Sequence, residues 1–278
     1  LPCRLSLAVA YLLTGRADTA QVQAQYGLTA PDPALQIKAW LVQSICDAPQ
    51  GLPARFAALD QAQAIANDLD APVWQGRIAQ QRGLGYLIQE AYSAAIPHLQ
   101  AARDIFEQCG LPLWTAQAYN ALGQVFRDLG QLRNAREALT QAYGIYRQAG
   151  VPGALADNLM DTGKLLNYLG QFPQALAALH QAEAQYRLVG RHMLAAYAIL
   201  NRGDVDLSQG RYQHALQSLE AAEAELIDLK YPREVATCAG RIGRWASARS
   251  GEICGGVNDA GKGGTGQPGR SRGRDGVQ

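Results

Sequence analysis

The chain is poor in most of what catalysis or membrane insertion requires. Only 7% of its 278 residues are aromatic, with 2 Met, 4 His and 5 Cys. The cysteines (Cys3, Cys46, Cys109, Cys238 and Cys254) are odd in number, widely spaced and form no C-x-x-C pair. That argues against a disulfide framework or a zinc site and for reduced thiols in a cytoplasmic setting. His98, His180, His192 and His214 fall at unrelated positions, and none has a His, Cys or carboxylate four residues on. There is no phosphate-binding loop, no Gly-x-Ser-x-Gly elbow and no dinucleotide fingerprint. No metal, cofactor or catalytic constellation is therefore expected, and the chain does not read as an enzyme. Against 25 basic residues stand 24 acidic ones, a net charge of +1. This removes the electrostatic footprint of a nucleic-acid binder. No apolar run approaches the ~20 residues of a membrane span.

What the chain does have is glycine in register. Gly83, Gly123, Gly163, Gly203 and Gly243 stand 40 residues apart, the mark of a repeat array. Twelve residues after each of the first four comes alanine: Ala95, Ala135, Ala175 and Ala215. Leu99, Leu139, Leu179 and Leu219 follow four residues later, then Ala102, Ala142, Ala182 and Ala222 after three more. A bulky residue closes each set at Phe106, Tyr146, Tyr186 and Leu226. Steps of four, three and four place these side chains on one face of an α-helix. Breaks at Gly130-Gln131, Gly170-Gln171 and Gly210-Arg211 end one helix. Breaks at Leu111-Pro112, Val151-Pro152 and Tyr231-Pro232 open the next. Each unit is thus two antiparallel helices, with its in-register glycine inside the first. A glycine there costs about 1 kcal/mol relative to alanine, so its repetition predicts a close approach of two helix backbones.

These columns resemble the tetratricopeptide repeat. The unit from Ala116 carries Tyr119, Leu122, Gly123, Phe126, Gly130, Ala135, Leu139 and Ala142, the full pattern of that family. The units from Ala156 and Ala196 keep most of it, although Arg202 and Asp206 depart from it and are expected to expose their helix locally. The unit from Gly76 has Glu90 where the turn glycine belongs. The usual unit is about 34 residues, and the longer variant resembles the repeats of kinesin light chains, of maltose-regulator-type activators and of bacterial proteins ending in a caspase-like (CHAT) domain. The resemblance implies an all-α, right-handed superhelical solenoid of antiparallel helix pairs, with six nearly complete units and a half. Residues 1–75 read as degenerate repeats, 76–235 as four regular ones and 236–250 as a truncated one.

By the same resemblance the first helix of each unit lines a concave face. The residues so placed are Arg77 and Gln80; Gln117, Asn120, Gln124 and Arg127; Asp157, Lys164 and Asn167; and Tyr197 and Asp204, with Leu84, Leu87, Met160, Leu200 and Leu207 beside them. Amides both donate to and accept from a peptide backbone, and Arg127, Lys164 and Asn167 are suited to a carboxylate. The implied partner is a protein or peptide segment in this groove. The alternative is a sensor arm of a larger protein with a CHAT or transcription-regulator effector. The Lys/Asn pattern of chaperone-tail binders is not reproduced. Tyr119, Tyr146 and Tyr186 read as core.

The two ends read differently. Leu5 to Leu13 has the make-up of a short signal-peptide core, but it aligns with the repeat and is read as a repeat helix. The absence of an initiator Met at Leu1 suggests processing or a fragment. From Gly251 the chain holds ten glycines in 28 residues and is expected to be disordered. Arg270, Arg272 and Arg274 there offer a small nucleic-acid contact, a weaker reading than an out-of-frame or truncated end. An uncapped last unit would leave an apolar face open to end-to-end self-association.

Overall fold

The computed structural model describes residues 2–13 and 17–232, together with 234–236, 238–240 and 243. Twelve α-helices follow one another with no strand among the described residues: α1 (Pro2–Leu13), α2 (Ala17–Leu28), α3 (Pro33–Cys46), α4 (Leu52–Asp68), α5 (Pro72–Ile88), α6 (Tyr92–Gln108), α7 (Pro112–Asp128), α8 (Leu132–Ala149), α9 (Pro152–Tyr168), α10 (Phe172–Leu188), α11 (His192–Ser208) and α12 (Tyr212–Asp228). Each packs on the next, which makes six antiparallel pairs stacked in a solenoid. The segment beginning at Leu5 is such a helix: α1 packs on α2 and α3 and buries Leu5 and Ala8. The tail from Gly251, its three arginines and most of the truncated unit lie outside the described residues.

The four core columns follow the sequence pattern. Ala135, Leu139, Ala142 and Tyr146 of α8 are buried, as are their counterparts in α6, α10 and α12. Alanine allows each second helix to lie close to its neighbours, and the bulky members Phe106, Tyr146, Tyr186 and Leu226 pack against the following unit. The in-register glycines belong to the same packing. A methyl group placed on Gly123 would lie 2.6 Å from Leu139 Cγ, and one placed on Gly83 or Gly163 would lie 2.6 Å from Leu99 Cγ or Leu179 Cγ. The neighbour each glycine makes room for is therefore the leucine side chain of its own partner helix. The backbone stands further off, with the Ala135 carbonyl oxygen at 3.5 Å. At Gly203 the contact loosens, since Leu219 and the Ala215 carbonyl are both 3.4 Å away.

The turns reveal a finer period than the 40-residue unit. A residue with positive φ occurs at Asp70, Glu90, Gly110, Gly130, Gly150, Gly170, Gly190, Gly210 and Lys230, one every 20 residues. At Gly130 (φ 73°) the backbone N–H donates to the Arg127 carbonyl at 2.9 Å, and Gln131 N–H donates to the Phe126 carbonyl at 2.8 Å. This is the Schellman closure of a helix. The same six-residue bond recurs at every one of these turns, from Ala71 to Tyr231. Turns within a unit and between units are thus alike. From α4 onward every helix is 17 residues long, except α8 with 18.

Arg202 and Asp206 do not expose α11, contrary to the sequence expectation. Asp206 is buried and pairs with Arg211 at 2.7 Å, and Arg202 pairs with Glu183 of α10 at 2.8 Å. Opposite charges supplied by neighbouring elements satisfy the two departures, and α11 runs unbroken from His192 to Ser208.

Candidate binding groove

Consecutive odd-numbered helices touch one another (α5 with α7, α7 with α9, α9 with α11), whereas no even-numbered pair makes comparable contact among the described residues. The odd helices therefore lie on the compressed, inner side of the stack. A cavity of about 480 Å³ opens there between α5, α7 and α9. Gln80, Gln117, Asn120, Gln124, Arg127, Asp157 and Lys164 line it, and Tyr146 and Tyr186 reach it from the second helices. A second cavity of about 380 Å³ continues along α9 and α11, lined by Arg127, Lys164, Asn167 and Asp204. Arg77 and Tyr197 line neither. Arg77 lies between Trp74 and Trp114, and Tyr197 packs against the core around Ala196 and Leu200. Leu200 is fully buried and is no part of the groove surface.

One residue the repeat pattern did not single out organises the first cavity. Asp161, 6% exposed, accepts from Asn120 Nδ2 at 2.9 Å and Gln124 Nε2 at 2.6 Å through Oδ2. Its Oδ1 faces Arg127 Nη1 at 3.4 Å and Lys164 Nζ at 3.9 Å. Behind it Asn158, fully buried, donates to Asn120 Oδ1 at 2.9 Å and to the Leu139 carbonyl at 3.0 Å. The sequence did carry a signal for this network. Ile78, Ala118, Asn158 and Ala198 share one repeat position, and Asn158 is the polar member of an otherwise apolar column. The polar side chain of Asn158 is kept inside because its partners lie inside too.

The charges of this site are largely engaged with one another. Burial works against the Arg127 charge, but a 2.8 Å hydrogen bond to Asp128 and the charges of Asp161 and Asp128 outweigh it and hold the guanidinium above its ordinary pKa. Burial pushes the Asp157 carboxyl up, only partly countered by the Tyr186 hydroxyl, which donates to Oδ1 at 2.7 Å, and by Arg191 at 3.5 Å. Burial and the Asp157 charge raise Tyr186 in turn, so it stays a neutral donor. Tyr186 thus has two roles: its ring fills the core, and its hydroxyl steers a groove carboxylate. In the second cavity Asn167 Oδ1 is buried and accepts no hydrogen bond.

The arrangement offers amide donors and acceptors on fixed side chains, with no strong net charge. Among the described residues no cluster of His, Cys, Asp or Glu could hold a metal ion, and no helix is long and apolar enough to cross a membrane.

Known proteins place the architecture. No curated protein sequence matches the chain. Among solved structures, BtubC from P. vanneervenii superposes with a TM-score of 0.64 at 16% identity, over 82% of this chain and 92% of that one. The Rap conjugation gene regulator of plasmid pLS20, solved in complex with the Phr* peptide, gives 0.63 at 13% identity, over 75% of this chain and 58% of that one. A signal transduction ATPase with numerous domains and a tetratricopeptide repeat sensor, from Pyrococcus horikoshii, gives 0.66 at 11% identity, over 90% of this chain but only 43% of its own length. At these identities the likeness is one of fold. The tetratricopeptide repeat family profile matches residues 74–148, the span from α5 through most of α8. Over residues 74–148 the chain is similar to the tetratricopeptide repeat family, and the described residues share the α-solenoid fold of these solved structures.

Proposed function

We propose that the protein is a non-enzymatic binding module that holds an extended protein segment against its odd-numbered helices. The observation that carries this reading is the Asp161 network. It fixes the Asn120 and Gln124 side chains from one unit against a carboxylate of the next, so the groove wall is preorganised rather than fluid. Preorganisation removes part of the ordering cost of binding, and amides at fixed positions suit the alternating donors and acceptors of a peptide backbone. The peptide complex of the pLS20 regulator supports a peptide ligand by analogy of fold.

The test is selection of binders from a displayed peptide library. Peptides selected on the parent protein should lose affinity for an Asn120→Ala/Gln124→Ala variant and keep it for Arg133→Ala on the outer helix α8. Failure to select any peptide, or equal binding to all three proteins, would sink the reading. A second reading, a sensor arm within a larger cytoplasmic protein, draws on the Pyrococcus horikoshii protein with its repeat sensor. Its mark would be an effector domain encoded in frame beyond the repeats. End-to-end association through the last unit belongs to the proposal as well, and sedimentation showing only monomer at high concentration would remove it.

A further inference from the structure

Arg77 sits one helical turn before Gln80 of α5, which lines the first cavity. Its guanidinium carbon lies 4.9 Å from the Trp74 ring centroid and 4.8 Å from that of Trp114. Trp74 and Trp114 occupy the same repeat position in successive units, so the cation is clamped between two adjacent first helices. Trp114 is backed in turn by Phe106, with ring centroids 5.7 Å apart. Among the described residues the Arg77 guanidinium makes no ion pair and no hydrogen bond. Burial alone pushes its pKa down, and no carboxylate acts the other way. It differs in this from Arg127, which carboxylates hold on both sides.

Stacking uses the two faces of a guanidinium and leaves its in-plane N–H donors unengaged. A guanidinium carbon held 4.9 and 4.8 Å from two indole centroids is restricted in its rotamers, which favours recognition of an oxyanion by the fork. The desolvated charge has no counterion, and an oxyanion at the edge would supply one. We propose that Arg77, clamped by Trp74 and Trp114, is an oxyanion-recognising site for a carboxylate or phosphate carried by the protein segment bound in the groove. This rests on the groove reading above, although binding at Arg77 is measurable without the full ligand. The site gives the groove an anchor at its α5 end, where a bound segment would place an acidic side chain, a free C-terminus or a phosphorylated residue.

Trp74 and Trp114, two of the four tryptophans of the chain, lie against the site and report on it. Tryptophan emission would be followed while the full chain is titrated with four probes: acetyl-Gly-Glu-Gly-amide, acetyl-triglycine with a free carboxylate, inorganic phosphate, and the neutral acetyl-Gly-Gln-Gly-amide. At least one oxyanion probe should give a saturable change that the glutamine peptide does not, and the probe that binds best names the source. Arg77→Met, which keeps the hydrophobic stem, should weaken that probe about tenfold or more. Arg77→Lys, which keeps the charge but not the fork, should fall between. Arg133→Met, a cation removed far from the groove, should bind as the parent does. The proposal is overturned if no oxyanion changes the emission, or if folded Arg77→Met and Arg77→Lys both bind as the parent does. Library peptides that still depend on Asn120 and Gln124 under those outcomes would leave the groove reading standing and remove only the Arg77 site.

Discussion

Gly123 in α7 lies directly beneath Leu139 in α8, where a methyl group would stand 2.6 Å from the leucine Cγ. Two sequence columns are therefore one feature, a leucine knob in a glycine hole, repeated from unit to unit. Gly123→Ala gains about 1 kcal/mol in helix propensity but forces the leucine out of its place, an overpacking worth about 1–3 kcal/mol. The expected result is net destabilisation by roughly 1 kcal/mol. Gly144→Ala in α8, where no atom lies within 4 Å, should instead stabilise by about 1 kcal/mol. Gly203→Ala, with ordinary contacts at 3.4 Å, should be neutral or stabilising. Chemical denaturation of the three variants decides the matter, and equal shifts in all three would remove the knob-in-hole account.

Glu90 adopts φ 58° at a turn position where six other turns have glycine. A left-handed residue with a Cβ costs about 1–2 kcal/mol. Glu90→Gly should raise stability by about 1 kcal/mol, and an unchanged midpoint in urea would contradict that.

Asp161 accepts from donors on two units. Replacing it with alanine leaves Asn120 Nδ2 and Gln124 Nε2 without their acceptor, while Arg127 keeps Asp128. Buried donors stripped of a partner cost about 1–3 kcal/mol. Asp161→Ala should therefore lower the melting temperature, whereas Asp204→Ala, in the second cavity and outside this network, should do so less. A smaller effect at Asp161 than at Asp204 would show the network to be slack.

His98 stacks on Tyr86 with ring centroids 5.4 Å apart, and burial, then the charge of Arg82, lower its pKa from 6.5. The unfolded chain thus takes up this proton before the folded one does. Stability is complete above the unfolded value and is lost as pH falls from about 6.5 through the folded value. His98→Phe keeps the stacked ring without the titration. Its melting temperature should fall less between pH 7 and pH 5 than that of the parent, and parallel curves would exclude His98 as a source of acid sensitivity.

The repeat columns were legible because every unit solves the same packing problem with the same residues, as at Ala135, Leu139 and Ala142. The 20-residue turn period was equally present at Gly110, Gly150 and Gly190, yet the longer and better-populated 40-residue pattern concealed it. Interactions between units were harder to read. Asp161 answers to Asn120 and Gln124 of the preceding unit, and Arg202 answers to Glu183 on a neighbouring helix, so neither is explained by its own repeat position. A column comparison finds such residues as exceptions, and only the three-dimensional register supplies their partners. Arg77 was placed on the inner face by its position alone. That its guanidinium lies against two indoles depends on Trp74, one turn before it, and on Trp114 of the next unit.

The equal turns give the array a mechanical character. A rod whose joints differ bends at its weakest one, and strain applied at one end stops there. Here the closures from Asp70 to Lys230 share the same six-residue hydrogen bond, so no closure stands out as a hinge by its turn. A segment lying across several units would therefore meet joints of one kind along its whole length.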